Sequence, residues 1–74
     1  MLTREQFLKK LGKNITNLRK QQNLSIKELS AKSNISAKYL LKIENGEAIK
    51  VSSKHIFYLK LALDVSFKDI FKNL

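Results

Sequence analysis

The residues best suited to chemistry in this sequence are hydrogen-bond donors in a short amphipathic segment near its middle. On a helical wheel at about 100° per residue, Lys38, Lys42 and Asn45 fall on one side. Ala37 and Leu41 share that side, which carries no acidic residue. Lysine and asparagine can donate to acceptor atoms on base edges, and alanine or leucine can contact a thymine methyl group. The pattern fits a helix that lies in the major groove of DNA.

The other side of the same wheel has the composition of a packed face. It carries Tyr39, Leu40, Ile43 and Glu44. A plain amphipathic helix, with a buried apolar side and a polar side that is only solvated, would show the same division. The wheel alone leaves both interpretations open.

The charge balance favours a polyanionic partner. Fifteen Lys and Arg residues against six Asp and Glu residues give a formal net charge of +9. Such a field attracts nucleic acid first and anionic membrane second. Apart from Glu44, the acidic residues stand in capping or surface contexts and form no converging pair. No serine has a plausible base, and His55 is the single histidine. We therefore predict no enzymatic activity, no catalytic residue, no metal, no cofactor and no small-molecule ligand.

The length and hydropathy indicate one small domain. A chain of 74 residues has room for one core, so residues 1–74 are predicted to form a single domain. No apolar run approaches the roughly 18 residues of a membrane span, and the polar start does not resemble a signal peptide. Cysteine is absent, which fits a reducing compartment. These features predict a cytoplasmic protein without a membrane partner.

The elements that must position the donor side chains are helices, because the apolar residues recur at three- and four-residue steps throughout. Ser, Thr and Asn signals divide the chain into five helices, the fold class being all-α. The predicted helices run from the Thr3 cap to near Gln22, from the Ser25 cap to Ser33, from Ala37 to Asn45, from a Ser52 or Ser53 cap to Leu63, and from Phe67 to Asn73. The second and third meet across a tight turn at Asn34.

An ordered set of short motifs carries a family resemblance over about residues 11–71. The set consists of Leu18-Arg19, Leu24-Ser25, Glu28-Leu29, Asn34-Ile35-Ser36, Tyr39-Leu40, Ile43-Glu44-Asn45-Gly46 and Leu63-Asp64-Val65-Ser66. It resembles the phage repressor and Cro-like (XRE-type) helix-turn-helix family. The resemblance implies a compact five-helix bundle, with a DNA-binding unit at about residues 25–45. It also implies operator DNA as the partner and a homodimer as the binding form.

The resemblance also implies roles for individual residues. By position, the base contacts are Ala37, Lys38, Leu41 and Lys42, which lie on the side that the wheel leaves free. The phosphate contacts are Ser36, Tyr39, Asn45, Lys50 and Lys27. Tyr39 has two open interpretations, since a tyrosine there can meet phosphate or pack on the neighbouring helix. Arg19 and Glu44 match an ion pair that ties the first helix to the recognition helix.

Three features depart from the family pattern. Leu41 is apolar on the DNA face, which indicates either contact with a thymine methyl group or contact with a partner protein. Ile26 stands where the family often has a glutamine that meets phosphate, so Lys27 or main-chain donors would have to replace that contact. The connection after Gly46 is about one residue longer than is common and lacks proline. The register of the fourth helix is therefore the least secure part of the match.

The last two helices carry more apolar residues than one small core requires. A homodimer interface is predicted from Phe57, Leu61, Phe67, Ile70, Phe71 and Leu74. The alternative is that all of these residues close the core of a single chain.

The function that these observations favour is a sequence-specific transcriptional regulator, predicted to be a repressor that binds a pseudo-palindromic operator. The alternative is an antitoxin or small controller protein that binds its own promoter and a protein partner. A membrane-surface or RNA-coating protein would explain the charge, but not two capped short helices at this spacing.

Overall fold

The computed structural model describes all 74 residues, which form five helices and no strand. The helices are α1 (Arg4–Gln21), α2 (Ile26–Ser33), α3 (Ala37–Glu44), α4 (Ser53–Leu63) and α5 (Phe67–Ile70). The predicted all-α, five-helix architecture is confirmed. None of the five helices combines the length and the apolar character that a membrane crossing requires.

Every helix begins at a serine or threonine whose side-chain oxygen accepts a hydrogen bond from a main-chain N–H of the first turn. Four of the five starts are capping boxes, in which the third helical residue bonds back to the cap. These pairs are Thr3 with Gln6, Ser25 with Glu28, Ser52 with His55, and Ser66 with Asp69. The caps satisfy donors that a helix start leaves free, so the short helices begin at defined residues.

The turn between α2 and α3 is set by local hydrogen bonds. Asn34 closes α2 in the left-handed conformation with φ 60°, and its N–H donates to the Ser30 carbonyl. The Ser30 hydroxyl donates to the Ile35 carbonyl at 2.5 Å, and the Ile35 side chain is buried. These bonds fix the direction in which α3 leaves α2.

One hydrophobic core lies where the helices meet, with α1 and α2 both packed on α3, and with α4 against α2. Its buried members are Leu11, Ile15, Leu29, Ile35, Leu40, Ile43, Ala48, Ile56, Leu59, Leu63 and Ile70. Two of them, Leu40 and Ile43, come from α3, so these two side chains anchor that helix in the core. The remaining side of α3 faces outward.

The last helix is shorter than predicted. The prediction of a helix from Phe67 to Asn73 is wrong beyond Ile70, where the chain continues as a turn. The Asn14 side-chain amide donates to the carbonyls of Ile70 at 2.8 Å and Lys72 at 2.9 Å. The Ile70 carbonyl is thus taken by α1 instead of by the next turn of helix. Asn73 then adopts φ 64°.

Ile70 also corrects the predicted dimer interface. Its side chain has 0% exposure and belongs to the core of the single chain. It cannot be part of an intermolecular surface, because a residue without exposed area has nothing to offer a second copy.

Candidate nucleic-acid interface

The outward side of α3 carries the donor residues that the sequence places there. Lys38, Leu41, Lys42 and Asn45 are exposed, and Ala37 is half-buried. No carboxylate belongs to this side of the helix, because the Glu44 side chain is 5% exposed and points into the contact with α1. The arrangement presents positive charge and hydrogen-bond donors on one short helix.

The start of α3 borders a shallow concavity of about 170 Å³. Lys38 and Lys42, one helical turn apart, line it together with Ser36 and Tyr39. Ser36 is also the N-cap, and its hydroxyl oxygen accepts from the Tyr39 N–H at 3.2 Å. The concavity therefore sits at the positive end of the helix dipole, between two ammonium groups, which favours an anionic group there.

Tyr39 packs and hydrogen-bonds within the chain, which is one of its two predicted roles. Its ring lies against the His55 ring with centroids 4.9 Å apart. Its hydroxyl donates to the Lys50 carbonyl. Because that bond uses the only hydroxyl hydrogen, a phosphate contact by Tyr39 requires this bond to be exchanged.

The connection between α3 and α4 is held at several points although it has no regular structure. The Lys42 carbonyl accepts from the N–H groups of Glu47 at 2.8 Å and Ala48 at 3.2 Å, and the Ala48 side chain is buried. The Arg4 guanidinium donates to the Ile49 carbonyl. The adjacent carbonyl of Lys50 is bonded to Tyr39, as described above. The backbone that carries the exposed Lys50 side chain is therefore fixed against α3, by the Lys42 carbonyl at residues 47 and 48 and by the Tyr39 hydroxyl at Lys50 itself.

The role of Arg4 was not identified from the sequence. Arg4 lies forty-five positions before its acceptor, and the acceptor is a main-chain carbonyl. A main-chain acceptor leaves no residue-type signal, so no spacing rule could have paired the two.

Arg19 and Glu44 form a bidentate ion pair between α1 and the end of α3. Arg19 Nε donates to Glu44 Oε2 at 2.8 Å, and a terminal guanidinium nitrogen donates to Oε1 at 3.0 Å. Thr16 Oγ1 also donates to Oε1 at 2.9 Å, and Arg19 donates to the Leu24 carbonyl at 2.8 Å. The hydrogen bond with Glu44 raises the pKa of Arg19 against the opposing effect of burial. The pair fixes the orientation of α3 relative to α1 and to the start of α2.

A second feature of the contact between α1 and α3 is the close approach of Gly12 to the α3 backbone. A Cβ atom there would lie 2.3 Å from the Ile43 carbonyl oxygen and 2.5 Å from that of Glu44. Both atoms are backbone, so α1 and α3 can approach this closely only because position 12 has no side chain. Sequence reasoning did not single out this glycine, since nothing near it marks a helix crossing.

Of the two remaining phosphate candidates, Lys27 lies at the start of α2, next to the departure at Ile26. Lys27 is exposed there, whereas Ile26 is half-buried and packs against the core. Position 26 thus contributes to packing in this chain. Among the other candidates, Asn45 is the exposed C-cap residue of α3, and Gly46 follows it with φ 72°.

The outer surface of α4 and α5 is unusually apolar. Large side chains that are exposed by 37–58% are Phe57, Leu61, Phe67, Phe71 and Leu74. We call these five residues the apolar surface. Its members come from the two C-terminal helices and the turn after them, and not from the helix-turn-helix unit.

Fold and surface together define the class of protein. Two short capped helices joined by a left-handed turn, with a basic outward face on the second, form a helix-turn-helix DNA-binding unit. A family model described as helix-turn-helix matches residues 15–70. The chain belongs to the XRE-type helix-turn-helix family, and it is a DNA-binding transcriptional regulator.

A solved structure extends the comparison. The chain is similar to the restriction-modification controller protein C.AhdI from Aeromonas hydrophila, with 31% identity and a TM-score of 0.83. The match covers 86% of this chain and 96% of that one. A search of curated protein sequences found no match.

Proposed function

We propose that this regulator is a repressor that binds a pseudo-palindromic operator as a homodimer, with α3 of each copy in the major groove. The observation that carries the proposal is the exposed, acid-free donor face of α3, which a buried ion pair holds in a fixed orientation. A preoriented helix is what base recognition requires, because hydrogen bonds to base edges depend on direction.

The proposed contacts divide into two classes. Lys38 and Lys42 donate to guanine O6 and N7, while Ala37 and Leu41 contact thymine methyl groups. Phosphates are bound by Ser36, Asn45, Lys50 and Lys27, and by Tyr39 once its hydroxyl exchanges the Lys50 carbonyl for a phosphate oxygen. These contacts set the register of the protein on the duplex. Of the phosphate set, Lys50 is supported best, since its side chain is exposed and the connection that carries it is bonded to α3 at the Lys42 carbonyl.

The homodimer is supported by the apolar surface and by size. A recognition helix contacts only a few base pairs, so one copy provides too little specificity for a regulator. The chain measures 33 × 23 × 20 Å, so two copies side by side can place their recognition helices about 34 Å apart, one turn of DNA. Phe57, Leu61, Phe67, Phe71 and Leu74 are the proposed seam, without Ile70.

A more specific role is favoured by the structural comparison. The similar solved protein is a restriction-modification controller protein, and nearly its whole length is matched. The sequence left open an antitoxin or a small controller protein as the alternative function. The similarity supports the controller protein over the antitoxin. Either role needs binding only, so the proposal includes no enzymatic activity, no cofactor and no small-molecule ligand. The place of action is the cytoplasm, where bacterial DNA lies.

The base contacts are tested with single alanine variants and operator duplexes selected from a random pool. Lys38→Ala and Lys42→Ala should each weaken operator binding by about 1–3 kcal/mol if the lysine contacts guanine. Lys32→Ala is the matched control, because Lys32 is an exposed lysine of α2 outside the proposed contacts. All three variants should keep the wild-type circular dichroism spectrum. Normal operator affinity in both α3 variants would contradict the assignment.

The dimer is tested by sedimentation of the protein with its selected operator. Two chains per duplex at saturation are expected. Phe57→Lys places an unpaired charge in the proposed seam and should reduce cooperative occupation of the operator. The control variant Lys54→Ala, at an exposed position of α4, should not reduce it. One chain per duplex at saturation would refute the dimer and leave the helix-turn-helix assignment intact.

A further inference from the structure

A second basic surface lies between α1 and the end of the chain. It is a shallow concavity of about 280 Å³, and its lining contains no apolar and no acidic residue. The lining residues are Lys10, Lys13, Asn14, Asn17, Lys72 and Asn73. We call these six residues the α1 lysine surface. None of them belongs to α2 or α3.

None of the three lysines of this surface forms a salt bridge within the chain. The ion pairs of the chain join Lys9 to Glu5 and Arg19 to Glu44, and none involves an α1 lysine-surface residue. The carboxylate nearest in sequence is Asp69, whose Oδ2 accepts from the N–H and the hydroxyl of Ser66 at 3.0 Å. Hydrogen bonds from Ser66, and to a smaller extent the charge of Lys72, lower the pKa of Asp69, which lies outside the lining. Lys10 and Lys13 therefore face the concavity without a carboxylate partner, and Lys72 is opposed by Asp69 alone.

The surface is preformed because Asn14 ties its two halves together. The Asn14 side-chain amide donates to the carbonyl of Ile70, the last residue of α5, and to that of Lys72 in the turn that follows. The backbone of Lys72 is thereby fixed against α1, beside Lys10 and Lys13. A ligand bound between these lysines does not have to order the turn first.

The position of the surface keeps it clear of the recognition helix. The α1 face that meets α3 is centred near Gly12, whose hypothetical Cβ points at the α3 carbonyls. Lys10 and Asn17 lie roughly 140–160° around the helix from Gly12, at 100° per residue. They face away from α3, so they remain accessible while α3 occupies a major groove.

The chemistry of the lining selects the ligand. Ammonium and amide donors bind phosphate oxygens, whereas the lack of any apolar side chain leaves nothing to hold the body of a typical small ligand. The positive charge also continues along α1, since Lys20 follows Lys13 at two helical turns, about 10 Å further on. An extended row of cations fits the backbone of a polymer better than it fits a compact anion.

We propose that the α1 lysine surface binds the phosphate backbone of a second DNA segment, without regard to sequence, while α3 is bound elsewhere. A bound regulator could then hold two duplexes together or load onto its operator from neighbouring DNA. This inference goes beyond operator recognition and uses none of the residues assigned to it.

The test is an NMR titration of the full chain with a short duplex of arbitrary sequence. The side-chain amide signals of Asn17 and Asn73 report on the surface directly. They should shift in the wild type and also in the Lys38→Ala/Lys42→Ala variant, in which the recognition face is weakened. Signals of Asn17 and Asn73 that stay fixed while those of α3 saturate would overturn the proposal. These signals do not depend on operator affinity. The result for the α1 lysine surface is therefore independent of whether the proposed function is correct.

A matched pair of triple variants separates the site from general electrostatics. The triple variant Lys10→Gln/Lys13→Gln/Lys72→Gln should have a roughly tenfold or more lower affinity for the duplex, measured from the shifts of the Asn17 and Asn73 signals. Each lost contact contributes about two- to fivefold. The variant's slope of log K against log salt should be shallower by roughly 2–3, corresponding to three phosphates.

The control carries the same change of charge at exposed lysines outside the lining, as Lys32→Gln/Lys54→Gln/Lys68→Gln. If the lost binding comes from the α1 lysine surface itself, the affinity of this control for the duplex should lie within about threefold of the wild-type affinity. Equal weakening in both triple variants would show that only net charge matters. Tripolyphosphate is the second probe, and shifts caused by it but not by the duplex would refute DNA as the ligand.

Discussion

Arg19→Ala should be among the most destabilising single changes in this protein. The substitution removes three hydrogen bonds of 2.8–3.0 Å and leaves the Glu44 carboxylate, 5% exposed, with the Thr16 hydroxyl as its remaining side-chain donor. Removal of one partner from a buried ion pair typically costs about 3–5 kcal/mol, mainly because the other charge stays buried. A domain of 74 residues has a total stability of roughly 4–11 kcal/mol. The change should therefore remove a large part of the folding free energy.

The assay is urea unfolding followed by circular dichroism, with a thermal scan in parallel. The melting temperature should fall by at least about 12 °C, at 4–8 °C per kcal/mol for a domain of this size. Lys20→Ala is the matched control, because Lys20 occupies the same last turn of α1 but is exposed and unpaired. The double variant Arg19→Leu/Glu44→Leu should recover much of the loss, since it removes both charges. A loss below about 1 kcal/mol for Arg19→Ala would show that the pair behaves like an exposed surface pair and does not orient α3.

Three further predictions concern Gly12, Lys50 and Glu28. Gly12→Ala should destabilise the protein by about 1–3 kcal/mol or more, because the new methyl group meets two backbone carbonyls. In an open helix interior the same change from glycine to alanine would stabilise the protein. An increase in the urea midpoint of unfolding would contradict the close approach of α1 and α3. Lys50→Ala should weaken binding to all DNA sequences alike and reduce the salt slope by about 1 in filter-binding assays; a loss confined to one operator position would make Lys50 a base-contacting residue instead. Hydrogen bonds from the main chain and hydroxyl of Ser25 lower the pKa of Glu28, so its contribution to stability is present above the ordinary glutamate pKa of about 4.3 and is lost as the pH falls through the lower folded value. Unfolding midpoints from neutral to acid pH should therefore fall less steeply for Glu28→Gln than for the wild type, and parallel curves would refute this.

The sequence predicts the helices well because their starts are governed by local chemistry. The capping boxes at Thr3, Ser25 and Ser66 each need two residues three positions apart, so both partners are visible in the sequence. The same holds for the left-handed residues Asn34 and Gly46. The amphipathic division of α3 is also local, which is why the wheel predicts the side that the structure leaves exposed.

Long-range contacts explain the parts that sequence reasoning did not reach. The end of α5 depends on the Asn14 amide, fifty-six residues from the Ile70 carbonyl that it binds. The burial of Ile70 follows from the same packing, and no periodicity in a four-residue helix separates a core position from an interface position. Gly12 is likewise recognised only when the neighbouring helix is in place.

The most direct test of the central claim, that the outward face of α3 determines operator sequence, is a selection of binding sites from random duplexes by the wild type and by Lys42→Ala. The wild type should enrich an inverted repeat whose half-sites are centred about 10–10.5 base pairs apart. Lys42→Ala should retain that spacing and lose base preference at the same position of both half-sites. An unchanged set of preferences in the variant, or an enriched site without two-fold symmetry, would contradict the account.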